Sequence, residues 1–217
     1  MKNKVLLILL FFIIVFSFTG CSSKKEDNSI NYLILVNSEN KIPKDWEDNL
    51  ELETAINAWD DEIKVEKETL KKYNELKAKL EEEGITIVLD SGFRSVKEQK
   101  EIWADFEKKY GIEYTKKTVA VPELSEHHTG LAIDICIIKD GKLIEENEDM
   151  IKEREIFAKI HEKLADYGFI LRYPEGKDDI TGYGYEPWHF RYIKDKKIAK
   201  EIMSNNLTYE EYLEKNK

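Results

Sequence analysis

Three of the four histidines of this chain fall in two short segments that also carry acids. The first is Ser125-Glu126-His127-His128-Thr129-Gly130-Leu131-Ala132-Ile133-Asp134, and the second is Glu186-Pro187-Trp188-His189. Two imidazoles and a carboxylate, those of His127, His189 and Asp134, make a donor set for one Zn²⁺ ion. Three protein donors leave a fourth position for water, the mark of a catalytic rather than a structural site. A further carboxylate, Glu186, would be a general base able to take that water's proton. Taken alone, the two segments are equally compatible with polar turn residues and an Asp satisfied by backbone groups. The two cysteines, Cys21 and Cys136, form no C-x-x-C, which excludes a zinc ribbon and a disulfide framework. Any metal must therefore be held by His, Asp and Glu.

The elements that would position these groups can be read from periodicity. Leu131 to Ile138 alternates as a strand, with Leu131, Ile133, Ile135 and Ile137 on a core face and Ala132, Asp134 and Cys136 on the other. A carboxylate flanked by small residues in an apolar strand needs a partner, and a metal or another cation is a good one. Cys136 reads as a small buried hydrophobe. Trp188 to Ile193 is a second strand, with Trp188, Phe190 and Tyr192 on the core face and His189 and Arg191 opposite. Strict alternation would put Glu186 opposite His189, but Pro187 disturbs the strand start, so both could face one cleft. Further strands are expected at 32–36, 85–89 and 169–173. The absence of Gly and Pro over 50–83 predicts one long amphipathic helix ending at Gly84. Ser95 with Glu98, and Thr208 with Glu211, have capping-box spacing and should open two more helices. A helix over 151–167 closes at Gly168, residues 112–130 read as loop, and Asp140-Gly141 as a hairpin turn. His161 is expected to face solvent on its Lys/Glu-rich helix, and His128 to be a surface or supporting neighbour of His127. Strands and helices do not alternate regularly. The expected class is therefore α+β, a single domain with a central antiparallel sheet flanked by helices.

The chain has 217 residues, with Lys+Arg 34 against Asp+Glu 44 and a net charge of -10. That length suits one domain with a core that needs no disulfide. The acidic balance argues against nucleic acid as a partner. Residues 1–20 pair Lys2 and Lys4 with an apolar run, Val5 to Phe16, too short to span a membrane comfortably and matching a secretory leader. Phe18-Thr19-Gly20-Cys21 resembles a bacterial lipobox, with Phe18 in place of the usual Leu. Cleavage there would leave lipidated Cys21 as the new terminus, holding the protein extracytoplasmically at the cell membrane. Residues 21–31 would be a polar tether and 32–217 the catalytic domain. A plain signal peptide or an uncleaved anchor is the competing reading.

SEHHTGLAID resembles the S-x-H-x-x-G-x-A-x-D motif of the VanY-type zinc D-Ala-D-Ala carboxypeptidases, and EPWHFRYI resembles their E-x-W-H motif. SGFRS (Ser91–Ser95), followed by Gln99, is similar to their Arg-bearing motif, and the matches keep the family's order and spacing over most of 32–193. The resemblance implies a fold shared with DD-peptidases and Hedgehog domains. It implies His127, Asp134 and His189 as zinc ligands and Glu186 as the base. It also implies Arg94 as the cation that stabilises the developing oxyanion. Ser125 and Gln99 are expected to contact substrate or support the site. The implied reaction removes C-terminal D-alanine from peptidoglycan stem peptides, as a D,D- or an L,D-carboxypeptidase; no obligate protein partner is evident. Alternatives are a D-Ala-D-Ala dipeptidase, which would need no leader, and a non-catalytic zinc- or peptidoglycan-binding lipoprotein on the same fold.

Overall fold

Alternation of apolar and polar residues builds a five-stranded antiparallel sheet in the computed structural model, which describes residues 30–217. The expected leader, Cys21 and the tether as far as residue 29 lie outside the described residues. Elements run β1 (Leu52–Ile56), β2 (Glu62–Glu66), α1 (Lys67–Glu82), β3 (Thr86–Ser91), α2 (Val96–Tyr110) and α3 (Ile112–Thr118). They continue with β4 (Ala132–Lys139), β5 (Lys142–Ile144), α4 (Asn147–Lys152), α5 (Arg154–Leu164) and β6 (Phe169–Leu171). The chain closes with α6 (Asp178–Thr181), β7 (His189–Tyr192), α7 (Lys196–Ser204) and α8 (Tyr209–Lys215). The strand order is β3-β4-β7-β6, with β5 pairing β4, so the expected α+β class with an antiparallel sheet holds. Among the described residues no helix is long and apolar enough to cross a membrane.

The two faces of this sheet do different work. Ile133, Ile135, Ile137, Phe169, Phe190 and Tyr192 point into the main core, where Leu76 and Leu80 of α1 and Phe157, Ile160 and Leu164 of α5 cover them. Trp188 joins the same cluster, as its place in the alternation required. The opposite face carries Asp134, His189 and Arg191, and further along Ile170 packs with Ala199, Ile202 and Tyr209 of the two C-terminal helices. Cys136 is a free, buried thiol that burial pushes up to about 12, an inert core residue.

Four expectations need correction. The single helix over 50–83 is a hairpin followed by a helix: β1 pairs β2 from Leu52↔Glu66 to Ile56↔Glu62. Lack of Gly and Pro did not prevent the turn. Asn57 Oδ1 accepts from the Trp59 and Asp61 amides, and Asp60 takes the positive φ of 63° that Asp and Asn tolerate. Glu66 then caps α1, its carboxylate accepting from the Glu68 and Thr69 amides. Residues 32–36 are not a strand; the Tyr32 and Ile34 carbonyls accept from Arg191 Nη2 instead of a neighbouring strand. Residues 112–130 contain α3 and a 3-10 turn at Glu126–Thr129. The helix over 151–167 begins earlier and is broken at Glu153 into α4 and α5. Both capping boxes, at Ser95/Glu98 and Thr208/Glu211, form with both of their hydrogen bonds.

Candidate active site

Strand register brings two of the predicted donors together. In the β4–β7 pairing Asp134 lies directly opposite His189. The 3-10 turn before β4 supplies His127 and ends at Gly130, whose φ of 71° returns the chain into the strand. His127 Nε2 is 3.1 Å from Asp134 Oδ2, and His189 Nδ1 is 2.9 Å from Asp134 Oδ1. One donor atom from each of the three residues lies within 4.8 Å of the others.

The imidazoles are held from behind, which decides the nitrogen each offers. His127 Nδ1 donates to the Gly92 carbonyl at 2.7 Å, leaving Nε2 free. His189 Nε2 donates to Glu126 Oε2 at 3.1 Å, leaving Nδ1 free. Such backing bonds fix the tautomer and orientation of metal-binding histidines. Gly92 suits its place because a Cβ there would meet the Lys64 carbonyl oxygen at 2.4 Å. Asp134 Oδ1 is buried without a hydrogen bond of good geometry, 2.9 Å from His189 Nδ1. A buried carboxylate and two imidazole nitrogens turned to one point favour positive charge between them and fit a metal with nitrogen and oxygen ligands.

Electrostatics agree. Burial would push the Asp134 carboxyl up, but His127 and His189 outweigh it and hold it well below the usual range. Burial lowers His189, while Asp134 and Glu126 together push it up to about 10, so positive charge is favoured between them. Glu186 reaches the same cleft. Pro187 and Trp188 form a turn closed by His189 N–H donating to the Glu186 carbonyl at 3.3 Å. That turn breaks the alternation and sets Glu186 Oε2 3.7 Å from His189 Nδ1. Burial pushes its carboxyl up to about 7, with Asp134 and Glu126 adding to the rise and His189 opposing it.

Arg94 is tied to the turn that carries His127 by its own backbone, its N–H donating to the His127 carbonyl at 3.2 Å. Its guanidinium donates to Gln99 Oε1 at 3.0 Å and to Ser91 Oγ at 3.3 Å. Gln99 is fully buried, and its amide donates to the Ala120 carbonyl at 2.7 Å, so it holds Arg94 in place. Ser125 is buried at the head of the turn, where its carbonyl accepts from the His128 amide. His128 supports the loop: Nδ1 donates to the Arg94 carbonyl at 2.6 Å and Nε2 accepts from the Glu123 amide. A cavity of about 510 Å³ opens beside Arg94 and His128, walled by Ile42, Trp46, Phe93 and Val96.

Sequence reasoning missed three charged residues behind the site. Glu126 is buried between Arg172 and Arg191: Oε1 accepts from Arg172 Nε at 2.8 Å and from Arg191 Nη1 at 2.9 Å. Burial would raise its carboxyl, but the two guanidinium groups, with His189, hold it well below the usual range. The signal was present: Glu126 lies inside the motif, and Arg191 shares His189's strand face. Asp90 is a fourth such residue. It sits at the irregularity in the β3–β4 register, and burial and Asp134 push its carboxyl up to about 6 against the pull of Arg94.

His161 is not solvent-facing. Its Nε2 donates to the Pro187 carbonyl at 2.8 Å, and its ring packs against Phe157 and Phe190, so it supports the Glu186–His189 turn from the core side. Burial pushes it down to about 4, against the raising effect of that hydrogen bond. An unfolded histidine titrates near 6.5, so between pH 6.5 and 4 the unfolded chain binds the extra proton. The stability from a neutral His161 is thus fully present above pH 6.5 and lost as pH falls toward 4, by about 2–3 kcal/mol. His161→Gln, which can keep the bond to Pro187, is expected to flatten this part of the acid limb. Urea unfolding of both proteins at pH 7.5 and 5 checks it; parallel losses would count against it.

Comparison with known proteins fits this geometry. A family model described as D-alanyl-D-alanine carboxypeptidase, VanY, matches residues 62–195. YodJ of Bacillus subtilis (strain 168) is 36% identical over 192 residues, covering 87% of this chain and 69% of that one. The solved structure of the LdcB LD-carboxypeptidase superimposes with a TM-score of 0.71 at 36% identity, over 85% of this chain and 86% of that one. A mutant of the vancomycin-resistance D,D-pentapeptidase VanY, in complex with Zn(II), superimposes with a TM-score of 0.66 at 30% identity, over 85% and 99%. A match over more than half the chain, with site-bearing strands in the same fold, identifies this chain as a member of the VanY family of D-alanyl-D-alanine carboxypeptidases.

Proposed function

We propose that this protein is a zinc-dependent carboxypeptidase that removes C-terminal D-alanine from peptidoglycan stem peptides. The observation that carries the proposal is the convergence of three donor atoms, including the unbonded Asp134 Oδ1, with the Glu186 carboxylate beside them. His127 through Nε2, Asp134 and His189 through Nδ1 would hold one zinc ion. Zinc bound there supplies a Lewis acid for the scissile carbonyl and brings the acidity of a bound water toward neutral pH. Glu186 accepts the proton of the attacking water as its oxygen joins the carbonyl carbon. It then returns that proton to the amine of the departing D-alanine as the C–N bond breaks. Arg94, clamped by Gln99 and Ser91, meets the charge that develops on the carbonyl oxygen. Lipidation of Cys21 would keep this chemistry at the outer face of the membrane, within reach of the wall.

The named relatives include an LD-carboxypeptidase and a D,D-pentapeptidase, so the test offers both substrates. Zinc-loaded protein incubated with a stem pentapeptide and, separately, a tetrapeptide is expected to release D-alanine from at least one, and to stop after chelation. Release from the pentapeptide alone assigns D,D specificity; release from the tetrapeptide alone assigns L,D specificity. Free D-Ala-D-Ala as the one cleaved substrate would make it a dipeptidase, and release from none would overturn the carboxypeptidase reading.

A further inference from the structure

The charges behind His189 do not end at Glu126. Arg172 bonds Glu126 through Nε and turns its two terminal nitrogens to Glu210 on α8, Nη1 reaching Oε2 at 2.9 Å and Nη2 pairing with Oε1. Glu210 is steadied in turn by Asn37 Nδ2, 3.1 Å from its Oε1. The neighbouring residue of α8, Tyr209, is fully buried with its ring beside both guanidinium groups, 5.9 Å from Arg172 and 5.5 Å from Arg191. Arg172 and Arg191 are themselves fully buried. Two guanidinium groups against one carboxylate would leave a buried positive charge behind the metal ligands. Glu210 cancels it, so that the two guanidinium groups and the two carboxylates balance and leave no net positive charge behind His189.

We propose that Glu210, in the C-terminal helix and outside the motifs, is a positioning residue of the metal site. It acts through Arg172 and Glu126 to hold His189 and to keep uncompensated positive charge away from the metal. This rests on the reading that His127, Asp134 and His189 hold zinc. Without Glu210, one bidentate partner of Arg172 is lost and Arg172 competes harder for Glu126, loosening the bond that orients His189. Both effects weaken a divalent cation's site, since backing bonds of this kind alter metal affinity by roughly 10–100-fold.

The experiment measures zinc affinity by competition with a chromophoric chelator, on wild type, Glu210→Gln and Lys177→Ala. The last removes the pair between Lys177 and Glu211 at the same end of α8 without touching the cluster. Glu210→Gln is expected to weaken zinc binding about tenfold, and Lys177→Ala to leave it within twofold. In nitrogen-15 spectra of the zinc-loaded protein, the His189 Nε2 proton is expected to be retained in wild type and to exchange faster with water in Glu210→Gln, as its bond to Glu126 loosens. Should Glu210→Gln fail to fold, Asn37→Ala, which frees Glu210 from one contact, is expected to give a smaller loss in the same direction. Glu210→Gln, or Asn37→Ala in its place, with a lowered melting temperature but unchanged zinc affinity and unchanged exchange of the His189 Nε2 proton would overturn the proposal and leave Glu210 a purely structural residue. A wild type that binds no stoichiometric zinc would instead overturn the metal reading beneath it.

Discussion

Glu186→Gln is expected to lower kcat/KM for D-alanine release by about 10²–10⁴-fold while zinc remains bound at one equivalent. The substitution keeps the shape of the side chain and removes its capacity to accept a proton. Glu186 is the acid of the site that is poised to titrate: burial and its carboxylate neighbours raise it to about 7, whereas Asp134 and Glu126 are held well below the usual range. Groups whose pKa values are driven apart in one cleft take different parts in catalysis, the raised one moving protons and the lowered ones holding charge. Glu186 is also not the sole anchor of any framework element. Its amide donates to the Tyr173 carbonyl and its own carbonyl accepts from His189, both backbone contacts that Gln retains. The measurement pairs D-alanine release with zinc content on the same preparation. A variant that keeps more than a tenth of the activity would remove Glu186 from the role of base. A variant that loses its zinc would make it a ligand.

The largest effect on stability is expected at Glu126. Glu126→Ala leaves the guanidinium groups of Arg172 and Arg191 facing each other in the interior, with Glu210 as the remaining carboxylate against them. Removing one partner of a buried ion cluster costs about 3–5 kcal/mol, chiefly through the uncompensated charge that stays behind. Against a total stability of about 5–15 kcal/mol for a domain of ordinary size, that is a large share. The same change strips His189 Nε2 of its acceptor, so zinc affinity should fall together with stability. Urea unfolding with and without zinc separates the two: the loss in chelated protein reports the ion cluster, and the additional loss with zinc reports the ligand. A chelated variant within 1 kcal/mol of wild type would show that the cluster contributes little.

The candidate site was legible because two of its parts are local. Asp134 could be placed on the non-core face of its strand by alternation alone, and the core residues Leu131, Ile133, Ile135 and Ile137 are all fully buried as that pattern required. Trp188, Phe190 and Tyr192 followed the same rule. Helix starts were legible where a cap has a short sequence signature, as at Ser95 and Thr208. The hairpin of β1 and β2 was not. Its signal is a turn of Asn and Asp residues without Gly, and its second strand, EIKVE, is as charged as the helix that follows. Nor was the irregular segment at 32–36, because a run of Leu, Ile and Val states that a segment is buried but not which partner takes its backbone groups.

By itself, the sequence determined the chemistry on offer: three donors for a metal, one free carboxylate, one arginine, and strand faces that separate them from the core. These follow from residue type and a period of two, which are local properties. Tertiary structure alone decided how they converge. The β4–β7 register sets Asp134 opposite His189, and a turn at Pro187-Trp188 swings Glu186 to their side. Tertiary structure also decided what stands behind them. Glu126, Arg172, Arg191 and Glu210 are drawn from four separate stretches, and a charge can be buried only where partners from elsewhere in the chain meet it. No spacing along the chain encodes that meeting; it exists because the sheet and the C-terminal helix close over the same face.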